Sequence, residues 1–127
     1  MTRLAVVEDN PDNRLLVSAI LEDEFEIEEH ERGDEALAAM TEDPPDIVLM
    51  DISLPGMDGV QVLHAMRRRP ELAHLPVIAL TAHAMSGDRE RFLAEGFNDY
   101  VTKPILDEDL LVGAITGLLE RQGLRSA

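Results

Sequence analysis

Two short runs, Ile47–Met50 in "DIVLM" and Val77–Leu80 in "PVIALT", are apolar at every position. A strand with one face in water alternates apolar and polar residues, so an unbroken apolar run marks a strand covered on both faces, the habit of parallel sheets held between helical layers. Further strand-like runs stand at Leu4–Val7, Phe25–Glu28 and Tyr100–Thr102. Helical patterns occupy the gaps. Alternating strands and helices imply a parallel α/β sheet with right-handed crossovers and helices on both faces.

Five helices are expected. Asn10 caps the first, with Pro11 at the first helical position where its missing N–H costs nothing, and Leu15, Leu16, Ala19 and Ile20 are read as its core stripe. Asp34–Met40 gives a second, with Ala36, Leu37 and Met40 apolar, stopped near Pro44 and Pro45. A third runs from Val60 to Arg69 and ends before Pro70. The fourth extends from Ser86, as N-cap, to Glu95, with Gly96 taking the left-handed C-terminal position. It has the weakest apolar face of the five. The fifth, Asp107–Arg121, sets Leu110, Leu111, Ala114, Ile115, Leu118 and Leu119 on one stripe.

The 127 residues, 45% hydrophobic, suit one domain with one core over residues 1–127, with 122–127 as a fraying tail. No apolar run approaches the ~20 residues of a membrane span, and residues 1–9 lack a signal-peptide core, which points to a soluble, cytoplasmic protein without a membrane partner. A net charge of −15, from 26 acids against 11 bases, repels polyanions, so nucleic acid is not an expected partner. Much of the acid falls in "EDEFEIEEHE", Glu22–Glu31, read as a solvated face. The absence of cysteine excludes thiolate metal sites. His30, His64 and His74 show no ligand spacing and are read as surface residues, and the methionines, including Met50, Met57 and Met66, as core filler.

In doubly wound sheets ligands bind outside the carboxyl ends of the strands, so the residues just after each strand are the candidates for function. These are Glu8 and Asp9 after the first, Asp51 after the third, Thr81 after the fourth, and Lys103 with Pro104 after the fifth. With strand order 2-1-3-4-5 the first and third strands are neighbours and three carboxylates converge. Like charges at short range disfavour ionisation unless a cation joins them. An all-oxygen site that awaits a phosphate suits Mg²⁺. With the metal bound, Asp51, alone on the middle strand, serves as a nucleophile forming an aspartyl phosphate. Thr81 donates a hydroxyl hydrogen bond to a phosphoryl oxygen, and Lys103, the only lysine among eleven basic residues, neutralises another.

The motifs "VVEDN", "VLMDISLPGMDG", "VIALTA" and "YVTKP", in this order and spacing, resemble the receiver domain of two-component response regulators, the CheY-like family with its flavodoxin-like five-stranded sheet of order 2-1-3-4-5 flanked by five helices. The resemblance spans Arg3 to about Gln122, and "AHLPVIALTAHAMSGDRER" is similar to DivK-type single-domain regulators and hybrid-kinase receivers. It implies that Asp51 is the phosphoacceptor and that Glu8 and Asp9 are the acidic pair for Mg²⁺, with the Ser53 backbone carbonyl completing the metal site. It further implies Thr81 as switch hydroxyl, Tyr100 as switch aromatic, Lys103 as phosphate-contacting lysine and a cis peptide before Pro104. Ser53 and His83, two residues beyond Asp51 and Thr81, become modulators of dephosphorylation. Glu8 stands where many members have Asp, and its extra methylene implies altered metal geometry with binding retained.

The implied function is that of a phosphorelay receiver in two-component signal transduction, as a single-domain response regulator or a receiver segment of a hybrid sensor kinase. It takes a phosphoryl group from a histidine kinase or histidine phosphotransfer protein and switches a surface of the fourth helix, fifth strand and fifth helix that a downstream protein reads, as a monomer or a weak phosphorylation-linked dimer. No enzyme activity is expected beyond its own phosphorylation and dephosphorylation. Two rivals exist. A haloacid-dehalogenase-type phosphatase wants a second acid two residues after the nucleophile, where this chain has Ser53. The other rival is a scaffold that never carries phosphate.

Overall fold

The computed structural model describes residues 2–82, 88–103, 105 and 107–122. The chain alternates β1 (Arg3–Val7), α1 (Pro11–Leu21), β2 (Glu26–His30), α2 (Gly33–Glu42), β3 (Ile47–Asp51), α3 (Gly59–Arg67), β4 (Val77–Thr81), α4 (Asp88–Glu95), β5 (Asp99–Thr102) and α5 (Glu108–Gln122). All neighbouring strands pair in parallel, in the order β2-β1-β3-β4-β5. This is the doubly wound sheet that the alternating pattern implies.

Because successive side chains point to opposite faces of a strand, each central strand feeds two cores. Leu4, Val6, Ile47, Leu49, Ile78 and Leu80 meet Val17 and Leu21 of α1 and Leu111, Ile115, Leu118 and Leu119 of α5. Ala5, Val7, Val48, Met50, Val77 and Ala79 meet residues of α2 and α3, with Phe92 from α4. Every residue of β3 and β4 is buried. The unbroken apolar runs are therefore the middle of the sandwich, as their composition requires.

Local chemistry sets the helix starts. The Asn10 side chain accepts hydrogen bonds from the backbone N–H groups of Asp12 and Asn13, with Pro11 at the head of α1. Asp58 and Gln61 form a reciprocal capping box at the start of α3. Gly96 ends α4 at φ 117°, a conformation that a side chain would disfavour. Arg67 leaves α3 to donate to the carbonyls of Ala73, Leu75 and Gly96 and to Asn98 Oδ1, which also accepts the Val77 N–H. One guanidinium so ties the end of α3 to the start of β4 and the end of α4.

Several expectations are corrected. In α1, Leu15 and Leu16 are 70% and 40% exposed and Ala19 is exposed, while Val17 and Leu21 are buried and Ile20 is half-buried. The reason lies in the first turn, where Asn13 and Arg14 reach back to the β1 end, so the inward face is 13, 14, 17 and 21. Leu110 of α5 is likewise turned outward, at 68% exposure, and Ala114 is half-buried. Strand β2 starts one residue later than Phe25 and runs to His30, because it is paired residue for residue with Arg3–Val7 of β1. Phe25 belongs to the turn after α1, with its N–H bonded to the Leu21 carbonyl, and is buried. Within the acidic face, Glu28 is half-buried and ion-paired to Arg3. His30 is not a surface residue but half-buried, and desolvation lowers its pKa. Helix α3 stops at Arg67, two residues short of Arg69. Ser86, the expected cap of the fourth helix, lies outside the described residues.

Gly59 links fold to site. A Cβ built there would stand 2.2 Å from the Asp51 backbone oxygen and 2.9 Å from the Ile52 Cα, so α3 begins pressed against the end of β3. Gly59→Ala should lower the unfolding free energy by about 3 kcal/mol, measured by urea denaturation, because backbone rather than a flexible side chain must yield.

Candidate functional site

The carboxyl edge of the sheet gathers four charged side chains. Glu8 follows β1, Asp51 ends β3 and Lys103 follows β5, where its N–H bonds to the Thr81 carbonyl at 2.7 Å. Glu8 and Asp51 are 1% and 2% exposed. Lys103 Nζ lies 3.0 Å from Asp51 Oδ2 and 3.3 Å from Glu8 Oε2. One ammonium thus bridges two buried carboxylates. Asp9, beside Glu8, is exposed, and one carboxylate oxygen from each of Glu8, Asp9 and Asp51 falls within a span of 4.8 Å.

The remaining polar atoms are held from the backbone and from α1. The Ser53 N–H donates to Asp51 Oδ1 at 3.0 Å, which fixes the carboxylate whose other oxygen faces Lys103. Asn13 Nδ2 donates to Glu8 Oε1 at 3.0 Å. Arg14 donates to the carbonyls of Glu8 and Asp9 at 2.9 and 3.3 Å and pairs with Glu31 at 3.2 Å. The loop carrying both acids is therefore gripped from the first turn of α1. Apolar patterning alone gives neither Asn13 nor Arg14 a role. The signal available was their place one helical turn beyond Asn10 and Pro11, at the carboxyl edge.

Burial pushes the Glu8 carboxyl up to about 7, helped by the hydrogen bond and charge of Asp51 and opposed by Asn13 and Lys103. Lys103 is raised: burial works against its charge, but the hydrogen bond to Asp51 and the charges of Asp51 and Glu8 prevail. Full ionisation of both buried acids would leave negative charge in excess of the one lysine. A hard divalent cation fits this donor set, because all three groups are oxygens and the exposed Asp9 leaves one side open for water or phosphate.

The other expected site residues take distinct places. Thr81 is buried at the end of β4, in register with Thr102. Tyr100 stands back from the acids, half-buried, with its ring 5.8 Å from that of Phe92 on α4. Ser53 is exposed and contributes its N–H to Asp51. His83 and Pro104 lie outside the described residues. Among the remaining histidines, His64 is exposed and pairs with Glu95 at 2.7 Å, and His74 is exposed.

A doubly wound sheet of this order, with clustered acids and a lysine at its carboxyl edge, defines a CheY-like α/β protein. The chain belongs to the response regulator receiver domain family, whose model matches residues 4–116. It is 42% identical over 111 residues to the signal transduction histidine-protein kinase BarA of Escherichia coli K12, a match covering 87% of this chain but only 12% of that protein. Among solved structures it is similar to the receiver domain of a sensor histidine kinase from Pseudomonas aeruginosa PAO1, which has a magnesium ion coordinated in its active-site cleft (33% identity, TM-score 0.80, 94% of this chain and 95% of that one). The chemotaxis protein CheY4 of Vibrio cholerae gives a TM-score of 0.85 at 26% identity, covering 94% and 99% of the two chains. The chain is thus a receiver domain of two-component signalling, homologous to hybrid-kinase receiver segments and to response regulators. Among the described residues, no helix is long and apolar enough to cross a membrane.

The Glu8 shift fixes a sign. A carboxyl raised from its ordinary 4.5 to about 7 favours the fold most below pH 4.5 and loses that contribution as the pH rises through 7. In chelator, the melting temperature of Glu8→Gln minus that of the wild type should therefore increase between pH 5 and pH 8. A difference independent of pH would contradict the buried-acid account.

Proposed function

We propose that Asp51 accepts a phosphoryl group from a phosphohistidine on a histidine kinase or histidine phosphotransfer protein. The observation that carries this reading is the 3.0 Å contact between Lys103 Nζ and Asp51 Oδ2 beside the buried Glu8. An exposed turn aspartate would need no such partner. An Asp51 oxygen forms the new O–P bond as the N–P bond of the donor breaks and its electron pair returns to the imidazole. The Ser53 N–H orients the attacking carboxylate, and Lys103 is placed to follow charge onto a phosphoryl oxygen. Glu8, Asp9 and Asp51 would hold Mg²⁺, with the Ser53 carbonyl as a further ligand; when bound, the ion supplies neutralisation of phosphoryl charge.

The chemistry ends with the chain's own phosphorylation and its reversal, in the cytoplasm. Ser53, which is exposed, and His83 modulate the access of the hydrolytic water. Thr81, buried at the next strand end, turns its hydroxyl to the phosphoryl group. Tyr100, resting on Phe92, passes the change to a surface of α4, β5 and α5 on which Leu93 and Leu110 are 41% and 68% exposed. A downstream protein reads that surface. The phosphodonor docks over the carboxyl edge beside the first turns of α1, where Leu15 and Leu16 are exposed next to the Asn13 and Arg14 side chains that grip the Glu8–Asp9 loop. The same arrangement serves a single-domain regulator or a receiver segment of a hybrid kinase, and the identity to the BarA kinase supports the second setting.

Acetyl phosphate with Mg²⁺ should label the wild type and leave Asp51→Asn unlabelled, read by intact mass. Equal labelling of the two would overturn the assignment. Replacing Leu15 and Leu16 together by serine should lower the rate of transfer from a phosphohistidine carrier, relative to acetyl phosphate, by about tenfold. An unchanged ratio would place the donor elsewhere.

A further inference from the structure

We propose that Asn13 is a positioning residue that aims the Glu8 carboxylate at the bound cation, and that it does so because Glu8 is one methylene longer than an aspartate. The inference rests on the reading of Glu8 as a Mg²⁺ ligand.

Glu8 is buried, and its two oxygens have different neighbours. Oε1 accepts a hydrogen bond from Asn13 Nδ2 at 3.0 Å, with Lys103 Nζ at 3.5 Å, and Oε2 faces Lys103 at 3.3 Å. A glutamate has one more rotatable bond than an aspartate, and a ligand with that freedom must be fixed from outside to present an oxygen reproducibly. Lys103 is a poor fixture for this purpose. It also serves Asp51, and in the proposed reaction it follows charge onto the phosphoryl group. Asn13 has no such second duty among the contacts described.

The same helix turn supplies the rest of the grip. Asn10 caps α1 through the backbone N–H of Asn13, which leaves the Asn13 carboxamide available for Glu8. The next residue, Arg14, holds the carbonyls of Glu8 and Asp9 and is itself tied to Glu29 and Glu31 at the β2 edge, at 3.5 and 3.2 Å. Arg14 thus fixes the backbone of the acid pair and Asn13 fixes the one side chain that the backbone does not determine. Partners of this kind commonly change metal affinity by tenfold or more, because they set ligand orientation.

The test is a double-mutant cycle on Mg²⁺ affinity, measured by calorimetric titration of the metal alone into wild type, Asn13→Ala, Glu8→Asp and the double variant. Asn13→Ala retains the backbone N–H used by the cap, and alanine favours a helix more than asparagine does. The expected result is a roughly tenfold weaker Mg²⁺ dissociation constant for Asn13→Ala in the wild-type background and little further change in the Glu8→Asp background, where the shorter acid no longer reaches the carboxamide. An unchanged affinity for Asn13→Ala would overturn the proposal, as would an equal loss in both backgrounds, the mark of a merely structural asparagine. If the wild type is labelled at Asp51 and binds Mg²⁺ while Asn13→Ala binds equally well, only the positioning role fails. If the wild type does neither, the underlying site assignment fails with it.

Discussion

The structure depends on one electrostatic arrangement, a single ammonium lodged between two buried carboxylates at the carboxyl edge of the sheet. Glu8 and Asp51 are removed from water almost completely, and Lys103 is the cation in contact with both. Breaking a buried pair of this type by removing one partner typically costs about 3–5 kcal/mol, since the remaining charge is stranded. The parallel topology makes the contact possible. Residues more than forty positions apart become neighbours only when β1 lies beside β3 and β5 is delivered next to β4.

This arrangement is unsaturated by design of its charge count. Two buried acids and an exposed third share one lysine, a set of oxygen donors that fits a further hard cation. Backbone and helix contacts hold these groups in place. Gly59 lets α3 close against the backbone of Asp51, the Ser53 N–H fixes one oxygen of that carboxylate, and α1 grips the Glu8–Asp9 loop. The contact outward is of a different kind. Tyr100 meets α4 through Phe92, and Phe92 is the buried aromatic by which α4 joins the core.

Much of this was legible in the sequence because it rests on short-range rules. The unbroken apolar runs gave β3 and β4, Asn10 and Pro11 gave the start of α1, and the residues after four strands gave Glu8, Asp9, Asp51, Thr81 and Lys103 as a set. What was illegible depends on rotation about a helix axis. Leu15 and Leu16 fit a plausible stripe, but Asn13 and Arg14 turn inward toward the acid loop, which sends both leucines to the surface; apolar periodicity cannot register a polar anchor. Leu110 is exposed although it fits its stripe, because an apolar residue at the edge of a stripe looks in sequence like one at its centre. The contacts of Arg67 are hidden because they reach the carbonyl of Gly96 and the side chain of Asn98, which become adjacent only in the folded chain.

We propose above that the buried carboxylate of Asp51, flanked by Lys103 and the two acids after β1, accepts a phosphoryl group beside a divalent cation. A crystal structure grown with Mg²⁺ and beryllium trifluoride, a mimic of a phosphoryl group on a carboxylate, tests it most directly. Beryllium should be bonded to an Asp51 oxygen, with Lys103 Nζ on a fluorine and the cation ligated by Glu8, Asp9 and Asp51. A cation bound away from these acids, or an adduct on another carboxylate, would contradict it.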